Sequence, residues 1–87
     1  MLAEWRKQID ELDKQLVRLL NERAQLALNI GKEKRTQGLP VRSAEREQNV
    51  LANVESSNVG PLDNLAIRNI FQTVINECRR LEEKSSR

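Results

Sequence analysis

The chain contains no histidine and no tyrosine, one cysteine, two prolines, three glycines and only two aromatic residues, Trp5 and Phe71. Without histidine there can be no Ser-His or Cys-His nucleophile pair, and no zinc constellation can be assembled. A lone cysteine excludes an internal disulfide. Cys78 lies among apolar residues in NIFQTVINECRRLE, which reads as a buried structural thiol rather than a reactive one. No apolar run approaches the ~18 residues of a membrane span, and no signal peptide is visible. The expected setting is therefore reduced and cytoplasmic, with no membrane partner. Charge of one sign is also missing: 15 basic and 13 acidic residues are mixed along the chain, for a net charge of +2. Nucleic-acid binders show a basic stripe with aromatic platforms, so composition argues against a nucleic-acid partner.

What is present is helix. Eighty-seven residues make one domain with a limited core, of a size that often needs oligomerisation for support. Glycine and proline punctuate the chain only at Gly38-Leu39-Pro40 and at Gly60-Pro61, and elsewhere apolar residues recur at three and four. The first helix is expected over about 2–37, stopped by Gly38 in the left-handed region and by Pro40. The second is expected over about 43–56, with Ser43 as N-cap and Glu45 and Glu47 at the positive end of the dipole. The third is expected over about 61–84, with Pro61 at its first position and Asp63 in its first turn. The fold class is all-α, a single domain over 1–87.

Length adds an oligomeric state. A helix of about 36 residues spans roughly 54 Å, whereas a compact globule of this size has a radius of gyration of about 12 Å. The first helix nevertheless stays amphipathic, along Trp5, Ile9, Leu12, Leu16, Leu19, Arg23, Leu26 and Ile30 in alternating steps of four and three. That heptad row is the pattern of a helix packed along another helix. The same helix of a second chain is the simplest partner, so a homodimer is expected.

Arg23 breaks the row. A buried arginine is costly unless paired. Either its stem packs while its head reaches solvent or Glu22, or it lines an anion site between helices. Lys34, eleven residues on, points to the same side as Arg23 and continues the small-residue row Ala24, Ala27, Gly31. A glycine inside a helix costs about 1 kcal/mol against alanine, and close approach of another element is a common reason to keep it. Lys34 alone also reads as a complement to the helix C-terminus. Glu47, with Arg46 beside it, extends the row Val50, Leu51, Val54. Glu82 extends the row Phe71, Ile75, Cys78. Each alone reads as the solvated end of an apolar stripe, and Arg6 as a surface residue. Taken as a set on three helices, they describe a pocket for a small dianion inside a helical dimer.

The chain resembles the AroQ chorismate mutases over nearly its whole length. The residues that carry the resemblance are Trp5 to Asp13, Leu19-Leu20-Asn21-Glu22-Arg23, Ile30-Gly31-Lys32-Glu33-Lys34, Pro40-Val41-Arg42, Arg46-Glu47, Gly60-Pro61-Leu62, Ile70-Phe71, and Cys78-Arg79-Arg80-Leu81-Glu82. The resemblance implies an intertwined homodimer whose long first helices cross, with chorismate as substrate, prephenate as product, and no cofactor or metal. It implies that Arg23 binds one carboxylate and Arg6 of the other subunit the second. Lys34 would donate to the ether oxygen and a carboxylate, Arg46 would support the cationic cluster, and Glu47 would accept from the C4 hydroxyl. Glu82 would face the ether oxygen and must be protonated to donate, which predicts activity falling as pH rises. Ser43 matches an aspartate of some relatives, and Cys78 a serine near the substrate in others. Two alternatives stand beside this reading: an isochorismate-pyruvate lyase on the same scaffold, and a non-catalytic helical dimerisation or regulatory module. A chain opening at Met1 with every cationic position filled is expected to be a freestanding enzyme. Association with another shikimate-pathway enzyme stays open.

Overall fold

Residues Leu2–Thr36 form a single uninterrupted helix, α1, in a computed structural model that describes residues 1–85. The expected single domain over 1–87 is thus described as far as Ser85. The stop of α1 is local chemistry. Gly38 adopts φ +72°, its N–H donates to the Arg35 carbonyl, and the Leu39 N–H donates to the Lys34 carbonyl at 2.8 Å. This paired closure satisfies two of the orphan carbonyls of the last turn and needs a residue without Cβ at the left-handed position. Helix α2 spans Ala44–Ser57, and Ser43 caps it, its Oγ accepting from the Arg46 N–H at 3.1 Å.

Helix α3 spans Asn64–Ser85 and starts later than Pro61, where the sequence placed its first turn. The cap is Asp63, whose Oδ1 accepts from the Ala66 N–H at 2.8 Å, three residues on. Pro61 belongs to the connecting loop. There the Asn58 side chain accepts from the Gly60 N–H and donates to the Leu62 carbonyl and to Asn64 Oδ1. Gly60 has φ +79°, and the Gly60–Pro61 peptide is cis. Proline at a helix start supplies only a pre-set φ. An aspartate in the capping position satisfies an otherwise orphaned donor, and here it decides the boundary.

The three helices fold up, down and up, with α3 packed against both α1 and α2. Leu51 of α2 and Ile75 of α3 are the buried apolar side chains among the described residues. Arg68 of α3 ties α3 to α2 through Glu55 at 3.1 Å and Gln48 at 3.3 Å. Against this small body α1 is very long. The molecule measures 54 × 24 × 15 Å with a radius of gyration of 15.7 Å, beyond the about 12 Å of a compact chain of this size. Every residue from Met1 to Glu22 is exposed, including Trp5, Ile9, Leu12, Leu16 and Leu19, each at least half exposed. A row of large apolar side chains in water is the unusual observation here, since soluble monomers rarely carry contiguous apolar patches of this extent.

Candidate functional site

A cavity of about 570 Å³ opens between the C-terminal half of α1, the α1–α2 loop, the start of α2 and the C-terminal half of α3. That size is typical of sites for small organic ligands. Its apolar wall is built by Leu26, Ala27 and Ile30 of α1, Val41 of the loop, Val50 of α2 and Ile75 of α3. Its polar lining is Arg23, Lys34, Arg42, Ser43, Arg46, Glu47, Cys78, Arg79 and Glu82. The residues singled out in the sequence thus meet in one place, with a single exception. Arg6 lies seventeen residues before Arg23 on the same straight helix, about 26 Å away along its axis, and it does not line the cavity.

The side chains are held in specific ways. Arg23 is half-buried, and its Nη1 donates to Cys78 Sγ at 3.4 Å across the α1–α3 contact. Arg23 does not pair with Glu22, which is engaged by Arg18 at 3.0 Å; it lines the cavity instead. Cys78 itself is half-buried rather than enclosed, because it borders the cavity. Lys34 reaches from the last turn of α1 to the loop, its Nζ donating to the Val41 carbonyl at 3.2 Å. That bond uses one of three ammonium donors and leaves the others for a ligand.

Glu82 comes to the site across the top of Gly31. An added Cβ at Gly31 would lie 3.4 Å from the Glu82 carboxyl carbon and from Oε2. The packing partner of the helical glycine is therefore a carboxyl group. Burial pushes the Glu82 carboxyl above its ordinary range; Lys34 and Arg35 pull it partly back, and Glu83 adds to the rise. Desolvation disfavours the carboxylate here more than its two cationic neighbours favour it.

Two further cations of the cavity have no role that the sequence alone assigns. Arg79 follows Ile75 by four residues and precedes Glu82 by three, so helical register places it on the cavity face. Its Nη1 reaches across to Glu47 Oε2 of α2 at 3.3 Å. Arg42 of the loop donates through Nε to the same Oε2 at 3.3 Å. The signal for Arg79 was its register, hidden in the doublet Arg79-Arg80; the signal for Arg42 was only its nearness to the Ser43 cap.

Five cations and two carboxyls line the cavity, an excess of three positive charges when both carboxyls are ionised. Such a lining concentrates a small dianion, with guanidinium forks for its carboxylates and apolar walls for its carbon frame. Among the described residues no group of histidine, cysteine, aspartate or glutamate could hold a metal ion, and no helix is long and apolar enough to cross a membrane.

Comparison with known proteins points one way. The family model for chorismate mutase type II matches residues 5–83. The chorismate mutase of Methanocaldococcus jannaschii is 33% identical, the alignment covering 95% of this chain and 85% of that one. A bifunctional chorismate mutase/prephenate dehydratase of Aquifex aeolicus is 38% identical over 95% of this chain, which spans about a quarter of that protein's length (24%). A solved structure of chorismate mutase from Thermus thermophilus superposes with a TM-score of 0.92 at 33% identity, covering 94% of this chain and 93% of that one.

Proposed function

Because the chain belongs to the chorismate mutase type II family, we propose that it rearranges chorismate to prephenate within a homodimer. The observation that carries this reading is the cavity in which Arg23, Lys34, Glu47 and Glu82, from three helices, converge. The reaction is an intramolecular [3,3] shift in which a C–O bond breaks as a C–C bond forms. It needs no nucleophile and no general base, in keeping with a chain that has no histidine. Two things accelerate it: holding the reactive chair-like conformer, and stabilising the negative charge that builds on the ether oxygen.

In this reading Arg23 forks one carboxylate of the substrate. The Lys34 ammonium, with donors to spare beyond the Val41 carbonyl, stands on one side of the ether oxygen. Glu82 in its protonated form donates from the other, and its raised affinity for a proton supplies that form at higher pH than an exposed glutamate would. Glu47 accepts from the C4 hydroxyl, Arg46 adds to the cationic field, and Ser43 and Cys78 complete the wall. Arg6 of the partner subunit completes the set by binding the second carboxylate. The exposed row Trp5, Ile9, Leu12, Leu16 and Leu19 is the surface that the partner's long helix covers. Burying it removes that apolar row from water at about 25 cal/mol per Å².

The setting is the cytoplasm. Relatives named as fusions to a prephenate dehydratase suggest a dehydratase of prephenate as the enzyme this chain would work beside.

The test is chorismate consumption by the purified chain, followed by loss of its diene absorbance, with products separated by chromatography. Prephenate from the native chain and almost none from Arg23→Ala supports the assignment. Absence of turnover refutes it and directs the next assay to isochorismate.

A further inference from the structure

Glu47 is shared. Its Oε2 takes both Arg42 Nε and Arg79 Nη1, each at 3.3 Å, while among the described residues nothing donates to Oε1. The Glu47 side chain is 16% exposed and that of Arg79 27%, whereas Arg42 is 64% exposed. The inner of the two clamps is therefore Arg79. It is fixed in turn by its own helix, Nη2 donating to Asn76 Oδ1 at 3.2 Å. A guanidinium anchored on one helix thus holds one oxygen of a carboxylate on another.

From this geometry we infer that Arg79 is a positioning residue for the reaction. By pinning Oε2 it presents Oε1 of Glu47 as the uncommitted acceptor for the substrate hydroxyl. The inference rests on the reading of the cavity as a chorismate site with Glu47 opposite the hydroxyl. A planar fork suits this role because it fixes direction as well as charge. A carboxylate free to rotate would offer either oxygen and spend part of its time turned away from the ligand. Arg79 need not touch the substrate to matter, since a site built to hydrogen-bond a hydroxyl rejects an analogue lacking it only while its acceptor is held in place.

The experiment measures binding of two stable bicyclic dicarboxylates that mimic the chair-like transition state, one bearing the hydroxyl and one with hydrogen in its place. Calorimetry on the native dimer, Arg79→Leu, Arg79→Lys, Glu47→Gln and the double variant Arg79→Leu/Glu47→Gln gives the affinity ratio for each. Helix content by circular dichroism is recorded alongside, at a temperature below every unfolding transition. The native protein is expected to prefer the hydroxyl compound, and Glu47→Gln to lose most of that preference. Arg79→Leu should narrow the ratio about tenfold, the scale of one charge-assisted hydrogen bond, with Arg79→Lys restoring part of it. The double variant should be no worse than Glu47→Gln alone, because both changes act through one carboxylate. A native ratio retained in Arg79→Leu overturns the inference and leaves Arg79 a tie between helices. Equal loss of both compounds also overturns it, since Arg79 would then be binding a carboxylate directly. If the native protein binds neither compound, the chorismate reading itself falls, and that failure is visible before any variant is compared.

Discussion

The Glu82 carboxyl rests on the bare backbone of Gly31: a Cβ placed there would lie 3.4 Å from Cγ, Cδ and Oε2 of the glutamate. One methyl just fits and a branched side chain does not. Gly31→Ala should therefore fold at least as well as the native chain, since alanine favours a helix by about 1 kcal/mol over glycine. It should also keep its activity while moving the alkaline limb of the pH profile upward, because the methyl displaces water from the carboxyl. Gly31→Val must push Glu82 aside and should lose kcat/KM by more than about tenfold with helix content retained, misplacement of about an ångström being enough for such a loss. Activity and circular dichroism on the two variants test both statements. Full activity in Gly31→Val would sever the link between this glycine and the glutamate.

Glu82 should set the direction of the pH dependence. Burial, the largest influence, raises its affinity for a proton, with Lys34 and Arg35 of α1 opposing it and Glu83 of α3 reinforcing it. In the proposed reaction the protonated form is the donor, so kcat/KM should decline as pH rises through the raised value. Glu82→Gln, which donates at every pH, should flatten the profile. Stability follows the same sign: the folded chain holds this proton more tightly than the unfolded one, so the contribution is complete below the ordinary carboxylate range and is lost as pH rises through the folded value. Thermal midpoints of native and Glu82→Gln protein between pH 4 and pH 8 should therefore diverge toward the alkaline end. An unchanged activity profile in the glutamine variant would remove Glu82 from the ether oxygen.

Lys34 should matter more than its place at a helix end suggests. Its Nζ is tethered to the Val41 carbonyl at 3.2 Å, so in the proposed reaction the ammonium is pre-positioned for the charge that builds on the ether oxygen. Losing one preorganised donor to a developing oxyanion costs on the order of 3 kcal/mol. Lys34→Ala should therefore lower kcat/KM about a hundredfold, with most of the effect in kcat. A loss of less than tenfold, measured under kcat/KM conditions, would leave the lysine as a complement to the helix dipole and a tie to the loop.

Periodicity made much of this legible. Arg23 announced itself by interrupting an apolar row, and Gly31 by sitting inside a helix where alanine would be better. Gly38 and Ser43 marked boundaries through chemistry that acts within four residues. Pro61 misled because it is permissive at a helix start without enforcing one, and the Asp63 cap took the boundary. Arg79 was hidden for a different reason. Its partner Glu47 is 32 residues away on another helix, and a pairing across two packed helices leaves no trace in the local pattern of either. Arg6 is the reverse case: family resemblance marks it, while a single chain leaves it exposed, and only the proposed dimer would give it a site.

Mixed dimers test whether Arg6 is shared between subunits. If each site takes Arg23 from one subunit and Arg6 from the partner subunit, then Arg6→Ala and Arg23→Ala homodimers are both inactive, each site lacking one arginine. Mixing and refolding the two variants together should restore activity. In a mixed dimer one site inherits both defects and the other neither. Random pairing makes half the dimers mixed, so roughly a quarter of the native activity should return. The dimer itself should sediment at twice the 10.1 kDa chain mass and dissociate in Leu12→Glu/Leu16→Glu, which places charge on the exposed row of α1. Recovery near a quarter requires a shared site. No recovery from chains shown by labelling to have exchanged would mean that Arg6 serves its own chain, and would overturn the shared site.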